Sequence, residues 1–245
     1  MSLEYSTDGS NWSDYTWSGT SGTRVVLANV GDKVYFRAKN DNAKLANAAA
    51  SDYCNFNATG KLSASGNMMT LLKGDGTLQD LTDSNDCAFA CLFDSCTALV
   101  DASQLALPSK YVPANGYANM FWGCSDLSAV PDIPALSAHR SAYGYMFSGT
   151  AIVDAPDIAT TTMLSSQVYY GMFQDCSSLT TVPALPATTL AEYCYTSMFQ
   201  GCTSLTTAPT ELPATTLTRG CYFSMFKGCS SLAQAPAISG TSTGP

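Results

Sequence analysis

Six Phe residues, each preceded by Met or Leu, recur at a nearly fixed interval, and that interval limits the fold more than any other feature of the chain. The pairs are Leu92-Phe93, Met120-Phe121, Met146-Phe147, Met172-Phe173, Met198-Phe199 and Met225-Phe226. Their first positions differ by 28, 26, 26, 26 and 27 residues, a spread that one-residue loop insertions account for. Self-similarity at such a period means that each unit covers its apolar face with its neighbours rather than with a core of its own.

The same chemistry surrounds every pair. Three residues before the Met or Leu stands an aromatic, at Phe89, Tyr117, Tyr143, Tyr169, Tyr195 and Tyr222. Three residues after the Phe comes Cys96, Cys124, Thr150, Cys176, Cys202 or Cys229, followed by Leu99, Leu127, Ile152, Leu179, Leu205 or Leu232. Four residues further on is Pro131, Pro156, Pro183, Pro209 or Pro236, with Ser103 in the first repeat. Aromatic, Met-Phe and Cys at relative positions 0, 3, 4 and 7 have the spacing of one helical face, which predicts a short helix. The Leu-Thr-Thr-Val/Ala-Pro stretch predicts a short strand ended by proline, which has no N–H for a sheet ladder. Stacking such units predicts a β-rich α/β solenoid of about six coils, with a parallel sheet on one face and short helices on the other.

These residues resemble the BspA-type leucine-rich repeats of bacterial surface proteins, most clearly over Met198-Phe199-Gln200-Gly201-Cys202-Thr203-Ser204-Leu205-Thr206-Thr207-Ala208-Pro209. Leu185-Pro186-Ala187-Thr188-Thr189-Leu190 and Leu212-Pro213-Ala214-Thr215-Thr216-Leu217 extend the likeness. It covers about residues 86 to 238 and weakens toward the first repeat, as a terminal repeat does. The resemblance implies a leucine-rich-repeat stack in a cell-surface or secreted, adhesion-like protein without catalysis.

Ahead of the repeats, residues 1–85 read as a small antiparallel β domain with a capping segment. Leu3-Glu4-Tyr5-Ser6-Thr7-Asp8-Gly9 runs a strand into an Asp-Gly turn, and Val34, Phe36 and Ala38 alternate with Tyr35, Arg37 and Lys39 as in a half-buried strand. This portion is similar to the immunoglobulin-like modules that precede such repeats. The segment from Gly60 to Leu72 is expected to add strand pairing over the first repeat. Residues 239–245 read as a tail or linker, so the chain is expected to be a fragment of something longer.

Charge and composition narrow the function. The net charge is −8 and the 11 basic residues are scattered singly, which excludes nucleic acid as a partner. No apolar run approaches the roughly 18 residues of a membrane span, and Met1-Ser2-Leu3-Glu4-Tyr5 has no signal-peptide pattern. Only 12% of residues are charged, so the surface is built largely of Ser, Thr, Asn and Gly. The repeated cysteines are read as stacked, buried thiols; a bridge between Cys194 and Cys221 stays open, because neighbouring coils approach closely enough. With one histidine, His139, placed in an inter-repeat loop, no zinc or other cofactor and no catalytic pairing is expected.

The candidate binding residues lie where the repeats differ. Asp132 and Asp157 follow the proline in adjacent repeats, and Asp101 and Asp154 share the position two residues past the Leu or Ile. Together they are expected to form an acidic stripe able to hold a cation or a basic partner. Trp122 is taken as the one aromatic particular to a single repeat. The function expected is an extracellular binding or adhesion module at the bacterial cell surface, recognising a host protein, matrix or glycan. The alternative is a structural spacer or assembly module of a cell-surface or tail-fibre-like protein.

Overall fold

A strand beginning at Leu3 organises the N-terminal part of the computed structural model, which describes residues 2–18, 21–22, 24–46, 53–158 and 165–242. Thr243, Gly244 and Pro245 of the expected linker lie outside the described residues. Strand β1 (Leu3–Ser6) pairs antiparallel with β2 (Ser13–Tyr15) on one side and, beyond a small hairpin of β3 (Trp17–Ser18) and β4 (Ser21–Gly22), with β5 (Tyr35–Ala38) on the other. The turn leaving β1 is tied by Asp8. Its carboxylate accepts the N–H groups of Ser10 and Asn11 and the Ser6 hydroxyl, and these bonds hold the carboxyl well below its usual range. Gly9 supplies the positive φ of +76° that the turn needs.

This three-stranded sheet has the order β2-β1-β5. The first repeat lies against it through Phe56. Phe36 meets Phe56 with ring centroids 4.5 Å apart, and Phe56 meets Phe93 at 5.9 Å. A single cluster of buried apolar side chains runs from Leu3 through every repeat to Cys229. Between sheet and repeats, β6 (Leu62–Asn67) lies parallel to β7 (Leu99–Ala106), with register shifts between Leu62 and Ser65.

Within each repeat the backbone follows a rule that neither helix nor strand obeys. In the fourth repeat the N–H groups of Val168, Tyr170, Met172, Gln174 and Cys176 donate to carbonyls three residues back. The alternate N–H groups, of Gln167, Tyr169, Gly171, Phe173 and Asp175, donate to Glu192, Cys194, Thr196, Met198 and Gln200 of the following repeat. The chain is therefore a ribbon of linked β-turns whose every second residue bonds the ribbon above. Every fourth residue takes a positive φ: 167, 171 and 175 here, and likewise Asn115, Asn119 and Gly123 or Tyr193, Ser197 and Gly201. All twelve described non-glycine residues with positive φ fall on this grid. A positive φ at the third residue of a turn is the type II requirement, and it admits Gly and Asn most readily.

The ribbons lie in register, so like side chains stack on like. The aromatic column Phe89, Tyr117, Tyr143, Tyr169, Tyr195 and Tyr222 has ring centroids 5.6–5.9 Å apart. The phenylalanine column from Phe93 to Phe226 has spacings of 5.5–5.7 Å.

The expected leucine-rich-repeat solenoid with helices on one face and a parallel sheet on the other is not what forms. Among the described residues the helical segments are two short 3₁₀ turns, Met68–Leu71 and Asp83–Asn85. The predicted helix fails because positions 0, 3, 4 and 7 face one way in a ribbon of period four just as they do in a helix of period 3.6. Over eight residues the two cannot be separated. The predicted sheet fails because aligned prolines such as Pro183, Pro186, Pro209 and Pro213 remove N–H donors from successive repeats. What remains are separate parallel pairs of two residues each: β8 (Tyr111–Val112) with β9 (Ser137–Ala138), β10 (Glu211–Leu212) with β12 (Ala237–Ile238), and β11 (Thr216–Leu217) with β13 (Thr241–Ser242). Single bridges join Asp101 to Ala129, Asp154 to Thr181 and Thr189 to Thr216.

Candidate binding surface

The four predicted carboxylates are at or near the surface. Asp101 lies on β7, half-buried, with its carboxylate accepting the Ser103 N–H at 2.8 Å, a bond that lowers its pKa. Its bridge partner in the next repeat is Ala129, which stands between Asp101 and the equivalent position of Asp154. Asp154 accepts the Thr181 hydroxyl from the following repeat at 3.0 Å. Asp132 and Asp157 are exposed. Among the described residues no group of three or more His, Cys, Asp or Glu side chains is arranged to hold a metal ion.

A second set of residues gathers on the ribbon face, opposite in kind to the acids. Tyr145 lays its ring over Gly171, where a Cβ would meet the ring at 2.4 Å, and its centroid is 5.3 Å from that of Tyr170. Burial, followed by the neighbouring Tyr170, pushes the Tyr145 phenol up to about 12. Tyr193 covers Gly220 in the same manner and carries the Arg219 guanidinium 5.7 Å above its ring. Arg140 donates through Nε to the Gln167 side-chain oxygen at 3.0 Å. Tyr145, Tyr170 and Tyr193 are half-exposed, as amphipathic rings in a recognition surface are.

Trp122 is exposed, but it is not the one aromatic particular to a single repeat. Tyr145 and Tyr193 also occupy positions at which no other repeat carries an aromatic, and Tyr170 and Phe223 share a position that is aromatic in two repeats. Their signal in the sequence is a second aromatic beside the stacked one, in Tyr143-Gly144-Tyr145, Tyr169-Tyr170, Tyr193-Cys194-Tyr195 and Tyr222-Phe223. A helical reading hides it, since it assigns those residues to a polar outer face.

The remaining candidates are structural. All ten cysteines are free and buried, and Cys194 points its thiol at the Cys221 carbonyl, at 4.0 Å, instead of bridging to its sulfur. Burial pushes the thiols of Cys194 and Cys124 up to about 12, which leaves them neither ionised nor nucleophilic near neutral pH. His139 is exposed and packs edge-on against Tyr111, whose hydroxyl donates to Asp83.

No known protein family, curated protein or solved structure matches this chain. No helix among the described residues is long and apolar enough to cross a membrane.

Proposed function

We propose that this chain is a non-enzymatic recognition module, acting outside the cell or at a bacterial cell surface, that binds a host protein, matrix component or glycan through the ribbon face of its repeats. The observation that carries this reading is the group of half-exposed rings Tyr145, Tyr170 and Tyr193 flanked by Arg140, Gln167 and Arg219. Rigid aromatic rings with polar neighbours provide contact area at low entropic cost, and aromatic and Arg side chains are the usual anchors of an interface. The resemblance of the repeats to those of BspA-type bacterial surface proteins supports the same location and role.

The test is a screen of the full chain against arrayed glycans and extracellular-matrix proteins, followed by titration of any hit with Tyr170→Ala, Arg219→Ala and Asp132→Asn variants of verified fold. A saturable hit weakened by the first two and indifferent to the third is the expected result. Silence across the arrays, or a hit that none of the ribbon-face variants alters, overturns it.

A further inference from the structure

The half-exposed tyrosines of the ribbon face come from three successive repeats, Tyr145 from the third, Tyr170 from the fourth and Tyr193 from the fifth. The Tyr145 N–H donates to the Tyr170 carbonyl, and the Gln167 and Gly171 N–H groups donate to the Glu192 and Thr196 carbonyls of the ribbon that carries Tyr193. The three rings therefore sit on ribbons held side by side at the roughly 5 Å spacing of paired backbones. Two of the rings are seated alike. A Cβ on Gly171 would meet Cδ1 and Cε1 of Tyr145 at 2.4–2.5 Å, and a Cβ on Gly220 would meet the same two atoms of Tyr193 at 2.4–2.5 Å. Each ring fills the space of the side chain that the glycine of the next repeat lacks, so it lies along the surface instead of standing out from it.

Polar groups border the rings. Arg140 donates through Nε to Gln167 at 3.0 Å, a bond that fixes both side chains and leaves the outer guanidinium nitrogens and the Gln167 amide nitrogen as donors. Glu192, next to Tyr193, is exposed and supplies an acceptor. The guanidiniums of Arg140 and Arg219 are offset by the carboxylates of Asp175 and Glu192, so the face carries no net charge. Among the described residues the exposed large aliphatic side chains, Val26, Leu27, Val30, Leu136, Val153 and Ile238, all lie outside residues 140–145, 165–171 and 191–197. A protein-binding patch is built around an apolar core, and this face offers rings and polar groups without one.

Within the ribbon-face reading above, on which this rests, we propose that the face binds an uncharged oligosaccharide laid across repeats three to five, with sugar rings stacked on Tyr145, Tyr170 and Tyr193 and sugar hydroxyls bonded by Arg140, Gln167 and Glu192. The C–H face of a pyranose carries the slight positive charge that the negative face of an aromatic ring attracts. Sugar hydroxyls both donate and accept, so one ligand satisfies guanidinium, amide and carboxylate together. An acidic glycan would meet Asp175 and Glu192 beside the two arginines, on a chain whose net charge is −8.

The test is calorimetric titration of the full chain with neutral hexasaccharides of glucose, N-acetylglucosamine and mannose, beside a hexagalacturonate and a set of extracellular-matrix proteins. At least one neutral hexasaccharide should bind saturably, with an affinity constant within about twofold between about 50 mM and about 500 mM sodium chloride. Tyr145→Ala and Tyr170→Ala should each weaken it by about tenfold or more, while Tyr170→Phe, which keeps the ring, should stay within about threefold of the parent. In the unaltered chain the ring resonances of Tyr145, Tyr170 and Tyr193 should shift on titration and those of the buried Tyr117 and Tyr143 should not, a readout independent of whether a variant folds. A matrix protein bound through Tyr170 with no neutral saccharide bound overturns the saccharide assignment and leaves the ribbon face as a protein-binding surface, whereas silence in every arm overturns both. Preference for the hexagalacturonate, or saccharide binding that neither shifts these rings nor responds to the tyrosine variants, also overturns the assignment.

Discussion

The thiol of Cys202 donates to the main-chain carbonyl oxygen of Phe173, one repeat earlier, at 3.1 Å. The same link joins Cys124 to Phe93, Cys176 to Phe147 and Cys229 to Phe199, each at 3.0 Å. That carbonyl also accepts the N–H of the cysteine in its own ribbon, so each of these cysteines ties two ribbons together at the end of the Phe column. Thr150 takes the cysteine's place in the third repeat and turns its hydroxyl to the Phe147 carbonyl of its own ribbon at 2.8 Å. The column is thus constant in chemistry as a donor rather than as a redox pair. Cys202→Ala should cost about 1 kcal/mol in chemical denaturation. The folded protein at pH 8 should leave its ten thiols unlabelled by an aromatic disulfide reagent, and all ten should react once it is unfolded.

Stability should fall in alkali. Burial raises the Cys176 thiol from the ordinary 9.0 to about 11 and Cys124 to about 12, and it lifts the Tyr143 phenol well above 10.0. Below about pH 8 these groups are protonated in both folded and unfolded chains and contribute no pH dependence. Above it the unfolded chain, whose thiols titrate first, releases protons that the folded chain retains, so the unfolded state gains until the folded groups also titrate. The midpoint of urea denaturation should be flat from about pH 6 to pH 7.5 and drop progressively from about pH 8 to pH 12.

Phe199 is fully buried between Phe173 and Phe226, at 5.6 and 5.5 Å. Phe199→Ala should destabilise by about 3–5 kcal/mol, because the cavity is bounded by two ribbons held at fixed spacing by hydrogen bonds. Phe226→Ala, on the open end, should cost less than half as much in the same denaturation series.

The Tyr143 hydroxyl is buried and has no hydrogen-bond partner among the described residues. Tyr143→Phe keeps the stacked ring and removes the unsatisfied group. It should raise the stability measured by denaturation by about 1 kcal/mol, whereas Tyr143→Ala should lower it severely.

The repeat period and the inward positions are legible in the sequence, because stacking repeats the buried side chains at the same interval as the hydrogen bonds. Phe89, Leu92, Phe93 and Cys96 are all buried. The kind of backbone is not legible from that pattern. It is written in the residues between, where Asn115, Asn119 and Gly123 or Gln167, Gly171 and Asp175 stand four apart, a series with residues poor in helices and frequent at positive φ. Assigning those positions to a polar helix face conceals both the turn ribbon and the second tyrosines at Tyr145, Tyr170 and Tyr193. The acidic residues do lie where the repeats vary, but equal sequence offset does not bring carboxylates together when a repeat with Ala129 stands between two of them.

Ser197 offers the most direct test of the turn ribbon. It sits within the fifth repeat at φ +54°. In a helix, replacing it with Gly would leave the protein about 1 kcal/mol less stable than replacing it with Ala. In the ribbon the order reverses, since Gly takes a positive φ without the steric cost that Ala bears. Denaturation midpoints of Ser197→Gly and Ser197→Ala, measured side by side, should place the Gly variant above the Ala variant by about 1 kcal/mol. An Ala variant more stable than the Gly variant would contradict the account.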